Sequence, residues 1–163
     1  MRIFLTLFLS LVLTACGFHL RGMDGAGALS FNQVQIQGEG VAAKYLRDYL
    51  ANYRGVQLVN QGSAETVIRV LDEQYSKDVF SVNNSGRVAE YRLNYRIRFS
   101  ASYKGETVLE EGSVAASRML SWNENSVLSK ESEEATLLRD MQRDVMQPLL
   151  RRVSAMVKKA QQP

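Results

Sequence analysis

The chain has 163 residues, with 20 Lys and Arg against 17 Asp and Glu and a formal net charge of +3. That balance is too mild for a nucleic-acid surface, and no long Lys/Arg run strengthens it, so no nucleic-acid partner is expected. One His and one Cys leave too few ligands for a zinc cluster and too few groups for a Ser-His-Asp or Cys-His site.

Met1-Arg2 opens the chain with a positive charge, and Ile3 to Leu13 is apolar apart from Thr6 and Ser10. A run of about eleven residues cannot cross ~30 Å of hydrocarbon, which takes roughly 20 in a helix, and it suits the apolar region of a signal peptide. The small residues Thr14 and Ala15 follow, then Cys16. Leu13-Thr14-Ala15-Cys16 resembles the lipobox of bacterial lipoproteins. The resemblance implies that residues 1–15 are removed and that the Cys16 thiol is lipidated, leaving Cys16 as the mature N-terminus. Two or three acyl chains hold a protein on a membrane where one does so only marginally. Such lipoproteins stay in the inner membrane mainly when Asp follows the Cys; here Gly17 follows, which points to the outer membrane. Acylation also uses up the only thiol, so no disulfide or thiolate chemistry remains.

Residues 16–30 are expected to form the lipidated flexible tether. Gly17 to Gly27 is glycine-rich and aperiodic. Its Gly22, Gly25 and Gly27 run opposite to a dinucleotide fingerprint and follow no strand. His19 lies on this tether, where nothing rigid would orient it for catalysis or metal binding.

Residues 31–160 are read as one domain. Phe31–Gln37 alternates, with Phe31, Val34 and Ile36 as core candidates, and predicts a strand. After Gly38-Glu39-Gly40, the stripe Ala42, Tyr45, Leu46, Tyr49, Leu50 and Tyr53 predicts an amphipathic helix ended by Gly55 as a left-handed cap. Val56–Val59 is a short strand. Thr66 to Val82 is rich in β-formers but changes phase between Ile68/Val70 and Tyr75/Val79, which predicts a bulge near Leu71-Asp72. Asn83-Asn84-Ser85-Gly86 predicts a hairpin turn, because Asn and Gly tolerate positive φ.

The next strand alternates most clearly. Ala89, Tyr91, Leu93, Tyr95, Ile97, Phe99, Ala101 and Tyr103 take one face; Glu90, Arg92, Asn94, Arg96, Arg98, Ser100 and Ser102 take the other. One face therefore meets a core and the other water. Lys104-Gly105 turns the chain into a last strand over Thr107–Leu120. From about Ser129 to Lys159, Ala135, Leu138, Met141, Val145, Leu149, Val153 and Met156 keep helical spacing. Glu131, Glu133 and Glu134 suit the helix start and Lys158-Lys159 its end. Pro148 predicts a kink and not a break, because the stripe stays in phase across it. The expected class is α+β: a two-layer sandwich with two amphipathic helices on one face of a mostly antiparallel sheet of four to five strands.

No enzyme emerges. Adjacent carboxylates such as Glu110-Glu111 and Glu133-Glu134 read as solvated charge, and no cofactor or metal is expected. Two features remain: the arginine row Arg92, Arg96 and Arg98 with Arg87 beside the turn, and Trp122 in a polar loop ahead of Lys130. They read either as a solvated sheet face with a packed loop Trp, or as a surface for an anionic, partly apolar partner. As candidate anion ligands, Arg87 flanks the turn and Lys130 a helix start, both expected to face solvent.

Cys16-Gly17-Phe18-His19-Leu20-Arg21, Ala89–Leu93 (AEYRL) and Ser117–Lys130 (SRMLSW…VLSK) together resemble the LptE family of lipopolysaccharide-assembly lipoproteins. The resemblance implies a small α/β sandwich that plugs the lumen of the LptD β-barrel, assists its assembly and binds lipopolysaccharide, without catalysis. Given that ligand, the solvent-facing cations Arg87, Lys130, Arg92, Arg96 and Arg98 are the candidates to bind it, and the projecting turn Asn83, Asn84, Ser85 and Gly86 is the candidate barrel contact. It also implies a location on the outer membrane, facing the periplasm and within the barrel lumen. The alternative is a structural periplasmic scaffold lipoprotein of another envelope assembly machine; a lipid-modifying enzyme is a weaker third.

Overall fold

In a computed structural model of the protein, residues 29–60, 62 and 64–162 are described. The expected signal peptide, Cys16 and most of the expected tether lie outside these residues. The elements are β1 (Gln33–Gln37), α1 (Val41–Ala51), β2 (Gln57–Leu58), β3 (Thr66–Val82), β4 (Val88–Tyr103), β5 (Glu106–Ser121), a 3₁₀ turn (Glu124–Ser126) and α2 (Val127–Ala160). Their order is the one the sequence predicts.

The five strands form one sheet in the order β2-β1-β3-β4-β5. The long ladders β3–β4 and β4–β5 are antiparallel, while β1 is parallel to both β2 and β3. The sheet is therefore mixed. Helix α1 is the crossover that lets β1 and β2 run in the same direction, a connection that parallel strands require.

Both helices lie on one face. There Val34, Ile36, Ile68, Leu93, Tyr95, Ile97, Phe99 and Leu120 meet Ala42, Ala43, Leu46 and Leu50 of α1 and Met141, Val145, Met146, Leu149, Leu150, Val153 and Val157 of α2. The even-numbered residues of β4 face outward, as its alternation requires. Helix α2 has 34 residues and thus a length of about 50 Å, close to that of the 16-residue β4 and β5 at ~3.4 Å per residue. One continuous helix can therefore run the whole length of these strands. It passes through Pro148 unbroken, because the apolar stripe on both sides of the proline is sealed against the sheet.

The two ends of the sheet differ. The proximal end carries the Lys104-Gly105 turn, whose φ values of 50° and 85° make the two-residue reversal that matches strand twist. The start of β1 and the end of α2 also lie there. Ser30 N–H donates to Ser154 Oγ at 2.8 Å and Gln161 Nε2 donates to the Ser30 carbonyl at 2.9 Å. Leu29 packs against the core, so residues 29 and 30, expected in the tether, are fastened to the body. At the distal end the β3–β4 hairpin closes through Gly86 N–H to the Asn83 carbonyl (2.9 Å) and Asn83 N–H to the Arg87 carbonyl (2.8 Å). Asn83 Oδ1 accepts from Ser85 and Arg87 N–H, and Gly86 takes the positive φ (77°) that closes the turn.

The predicted bulge in β3 falls between Val70 and Asp72. It turns Glu73 inward, where Oε2 accepts from Ala42 N–H (2.9 Å) and Oε1 from the Tyr95 hydroxyl (2.7 Å). Glu73 thus caps α1, whose own N-cap, Gly40, has no side chain to do so. Burial, then this carboxylate, raises the Tyr95 phenol pKa well above its ordinary value. Two details depart from expectation. Helix α1 ends at Ala51, and Gly55, at φ 82°, closes the turn that follows it. Ala135 is exposed, because α2 begins to bury side chains only at Met141.

Candidate functional site

Charged and exposed apolar side chains meet at the distal end. Glu134 of α2 accepts from Lys77 Nζ at 2.6 Å and from the Tyr75 hydroxyl at 2.6 Å. The Lys77 ammonium also sits 4.5 Å from the ring centroids of both Tyr91 and Trp122, which pack edge to face at 5.3 Å. Trp122 N–H donates to the Ala89 carbonyl at 2.8 Å. Trp122 is therefore a packed residue joining the end of β5 to β4, and it partly covers the lysine. Burial alone would raise the Glu134 pKa, but the hydrogen bonds from Lys77 and Tyr75 outweigh it and hold the carboxyl below its ordinary range. Burial, followed by the bond to Glu134, raises the Tyr75 pKa.

Of the candidate anion ligands, Arg87 and Lys130 lie near this joint, whereas the arginine row is on the opposite face of the sheet. Arg87 Nη1 is 3.1 Å from Glu124 Oε2, in a cleft between the hairpin turn and the 3₁₀ turn that Asn83, Trp122, Asn123 and Asn125 also line. Lys130 does not face solvent as expected. Its side chain is 18% exposed, tied to Glu133 Oε2 at 2.8 Å and to Ser121 Oγ at 2.9 Å. Its position in the first turn of α2, beside the end of β5, provides that cover.

The arginine row divides. Arg98 is bridged to Asp72 (3.4 Å) and Glu111 (3.3 Å); Glu111 first and Asp72 second raise its pKa. Arg92 stacks on Phe80, 4.3 Å from the ring centroid, and Met119 lies opposite it in the β5 register. Arg96 lines a shallow trough with Gln74, Ser76, Asn94 and Ser117. Neither Arg92 nor Arg96 has a carboxylate partner among the described residues. Asp78, which opposes Arg92 in register, is taken instead by Asn94 Nδ2 at 3.0 Å and Ser76 Oγ at 2.8 Å. The turn residues Asn83, Asn84, Ser85 and Gly86 are all exposed.

Exposed apolar side chains gather at the same end: Tyr75, Val79, Phe80, Val82, Met119, Val127 and Leu128, the last 83% exposed. Sequence reasoning missed the role of Lys77. The signal was present, because Lys77 shares its parity with Tyr75 and Val79 and so lies on the helix-bearing face. Among the described residues, no group of three or more His, Cys, Asp or Glu is placed to hold a metal ion, and no helix is long and apolar enough to cross a membrane.

The model of the LptE family, described as lipopolysaccharide-assembly, matches residues 29–153. The chain belongs to this family. The match begins at Leu29, where the chain joins the core, and ends at Val153 within the buried face of α2. The chain is 28% identical over 161 residues to the LPS-assembly lipoprotein LptE of Photorhabdus laumondii, covering 91% of this chain and 84% of that one. It is 27% identical over 154 residues to the LPS-assembly lipoprotein LptE of Pectobacterium atrosepticum, covering 91% and 83%. The solution structure of lipoprotein B from Nitrosomonas europaea superposes with a TM-score of 0.73 at 28% identity, covering 87% of this chain and 93% of that one. That superposition takes in the two helices and the sheet of this α+β fold.

Proposed function

We propose that the protein is an outer-membrane lipoprotein, lipidated at Cys16, that plugs the LptD β-barrel, assists its assembly and binds lipopolysaccharide without catalysing a reaction. Residues 1–15 are the signal peptide, 16–28 the tether and the remainder the plug. The observation that carries this reading is the distal end, where Arg87, Lys130 and Arg92 are found with exposed Val82, Phe80, Met119 and Leu128. An amphiphile with phosphates and acyl chains needs both kinds of surface, and exposed apolar clusters mark interaction sites.

The open sheet face supports the plug. Large barrel lumens are polar, and this face presents Gln74, Ser76, Asn94, Arg96, Ala115 and Ser117, while the core remains closed beneath the helices. Ser30 is fastened at the proximal end. The lipid anchor and the hairpin turn therefore attach to opposite ends of a body about 50 Å long. Asn83 to Gly86 lead into the lumen, and the tether keeps the proximal end near the membrane, raising the local concentration at the barrel.

The test is a photo-crosslinker at Asn84 or Arg96 in cells. Crosslinks to lumen-facing residues of LptD are expected. Labelling of other envelope proteins with the barrel absent overturns the plug and favours a scaffold for a different assembly machine. In the same cells Cys16→Ser should release a folded protein from the membrane fraction.

A further inference from the structure

The candidate cations are of two kinds. Arg92, and Arg96 halfway along β4, have no carboxylate partner among the described residues, whereas Arg87 and Lys130 at the distal end are held by Glu124 and Glu133. We propose that Glu124 and Glu133 gate the anion site: each occupies a cation the ligand needs, and a phosphate binds by displacing it. The inference rests on the reading of the distal end as a lipopolysaccharide surface and adds how that surface selects its ligand.

The geometry makes the two gates unequal. Arg87 is 67% exposed and has five N–H donors, of which Glu124 engages one nitrogen. A phosphate can meet the remaining donors before Glu124 leaves. Lys130 is 18% exposed and has three donors, two of them committed to Ser121 Oγ and Glu133 Oε2. A phosphate gains its full charge only when Glu133 swings away. Glu133 is 45% exposed, so it can rotate into water without moving the backbone, while Ser121 still holds the lysine in place.

Displacement selects by charge. A phosphate monoester carries about −1.5 to −2 near neutral pH and a carboxylate −1, so a phosphate gains from the exchange and a monovalent anion does not. The carboxylates thus keep Arg87 and Lys130 closed to small monoanions and open to phosphorylated ligands. The Arg87–Glu124 pair, exposed on both sides, is weak enough for this exchange, and the Lys130–Glu133 pair is open to it through its half-exposed glutamate.

The experiment titrates Glu124→Gln, Glu133→Gln and the double variant with purified lipopolysaccharide at fixed low salt, following the fluorescence of Trp122, the only tryptophan, which lines the Arg87 cleft. Glu131→Gln is the control, because Glu131 is exposed and makes no ion pair among the described residues. Glu133→Gln should tighten binding about three- to fivefold and Glu124→Gln about twofold, the span open to surface ion pairs. Both gains should shrink as salt is raised. If the wild type binds and the two variants move affinity no more than Glu131→Gln, the gate is overturned and the lipopolysaccharide reading stands. If the wild type does not bind, that reading falls and the gate with it.

Discussion

At the proximal end, Leu46, Phe99 and Val153 are sealed from solvent between the sheet and both helices. At the distal end, α2 meets the hairpin through Lys77, Glu134, Tyr75, Tyr91 and Trp122, while Leu128 and Val127 stay exposed. One long helix thus joins a region held by apolar burial to a region where charge and ring contacts add to the burial of Leu93 and Leu120. Apolar burial neither titrates nor is screened by ions, whereas contacts among partly exposed charges respond to both pH and ionic strength. The end whose contacts ions can rearrange is thus the end that carries the candidate surface.

The largest effect should come from the proximal end. Phe99→Ala, at a fully buried position, should lower unfolding free energy by about 3–5 kcal/mol, read as a shift in urea midpoint that salt leaves unchanged. Lys77→Ala should lower it by about 1–2 kcal/mol, from a lost cation–π contact and a charge-assisted hydrogen bond, and the deficit should narrow at high salt. If Lys77→Ala costs as much as Phe99→Ala, the distal end shares the core's cooperativity and the contrast between the two ends fails.

Acid sharpens the same contrast. The folded state favours ionised Glu134, because its pKa is lowered. Its stabilisation is fully present above the ordinary glutamate value of about 4.3 and disappears as pH falls through the lowered value. Glu134→Gln should be less stable than the wild type at pH 7, and the two should converge at the acid end of that window. Urea midpoints measured from pH 7 to pH 2 read this directly, and a constant difference would assign the effect to packing. The smallest effect belongs to Arg87→Ala. Its pair with Glu124 is exposed on both sides, so the stability change should stay below about 0.5 kcal/mol while affinity for lipopolysaccharide falls.

Much of this was legible in the residues. The alternation from Ala89 to Tyr103 assigns every β4 side chain to its face, and the phase change in β3 locates its bulge. The cations and the turn were also visible, and Trp122 stood out without its packing being decided. Their pairing was not. Arg98 and Arg96 look alike in sequence, yet Asp72 and Glu111 neutralise one and none of the described carboxylates reaches the other. Lys130 reads as a solvent-facing lysine until the end of β5 is set beside it.

By itself the sequence determined the element order, the two faces of β4, the two turns and the helical stripe that continues across Pro148. These follow from periodicity and local backbone preference, which act over a few residues. Only the tertiary structure decided that β1 runs parallel to its neighbours, that Glu73 caps a helix 31 residues away in sequence, that Lys77 lies between Tyr91 and Trp122, and which arginines lack a carboxylate. Each of these depends on which distant segments become neighbours, and hydrophobic patterning assigns a strand its face without naming its partner.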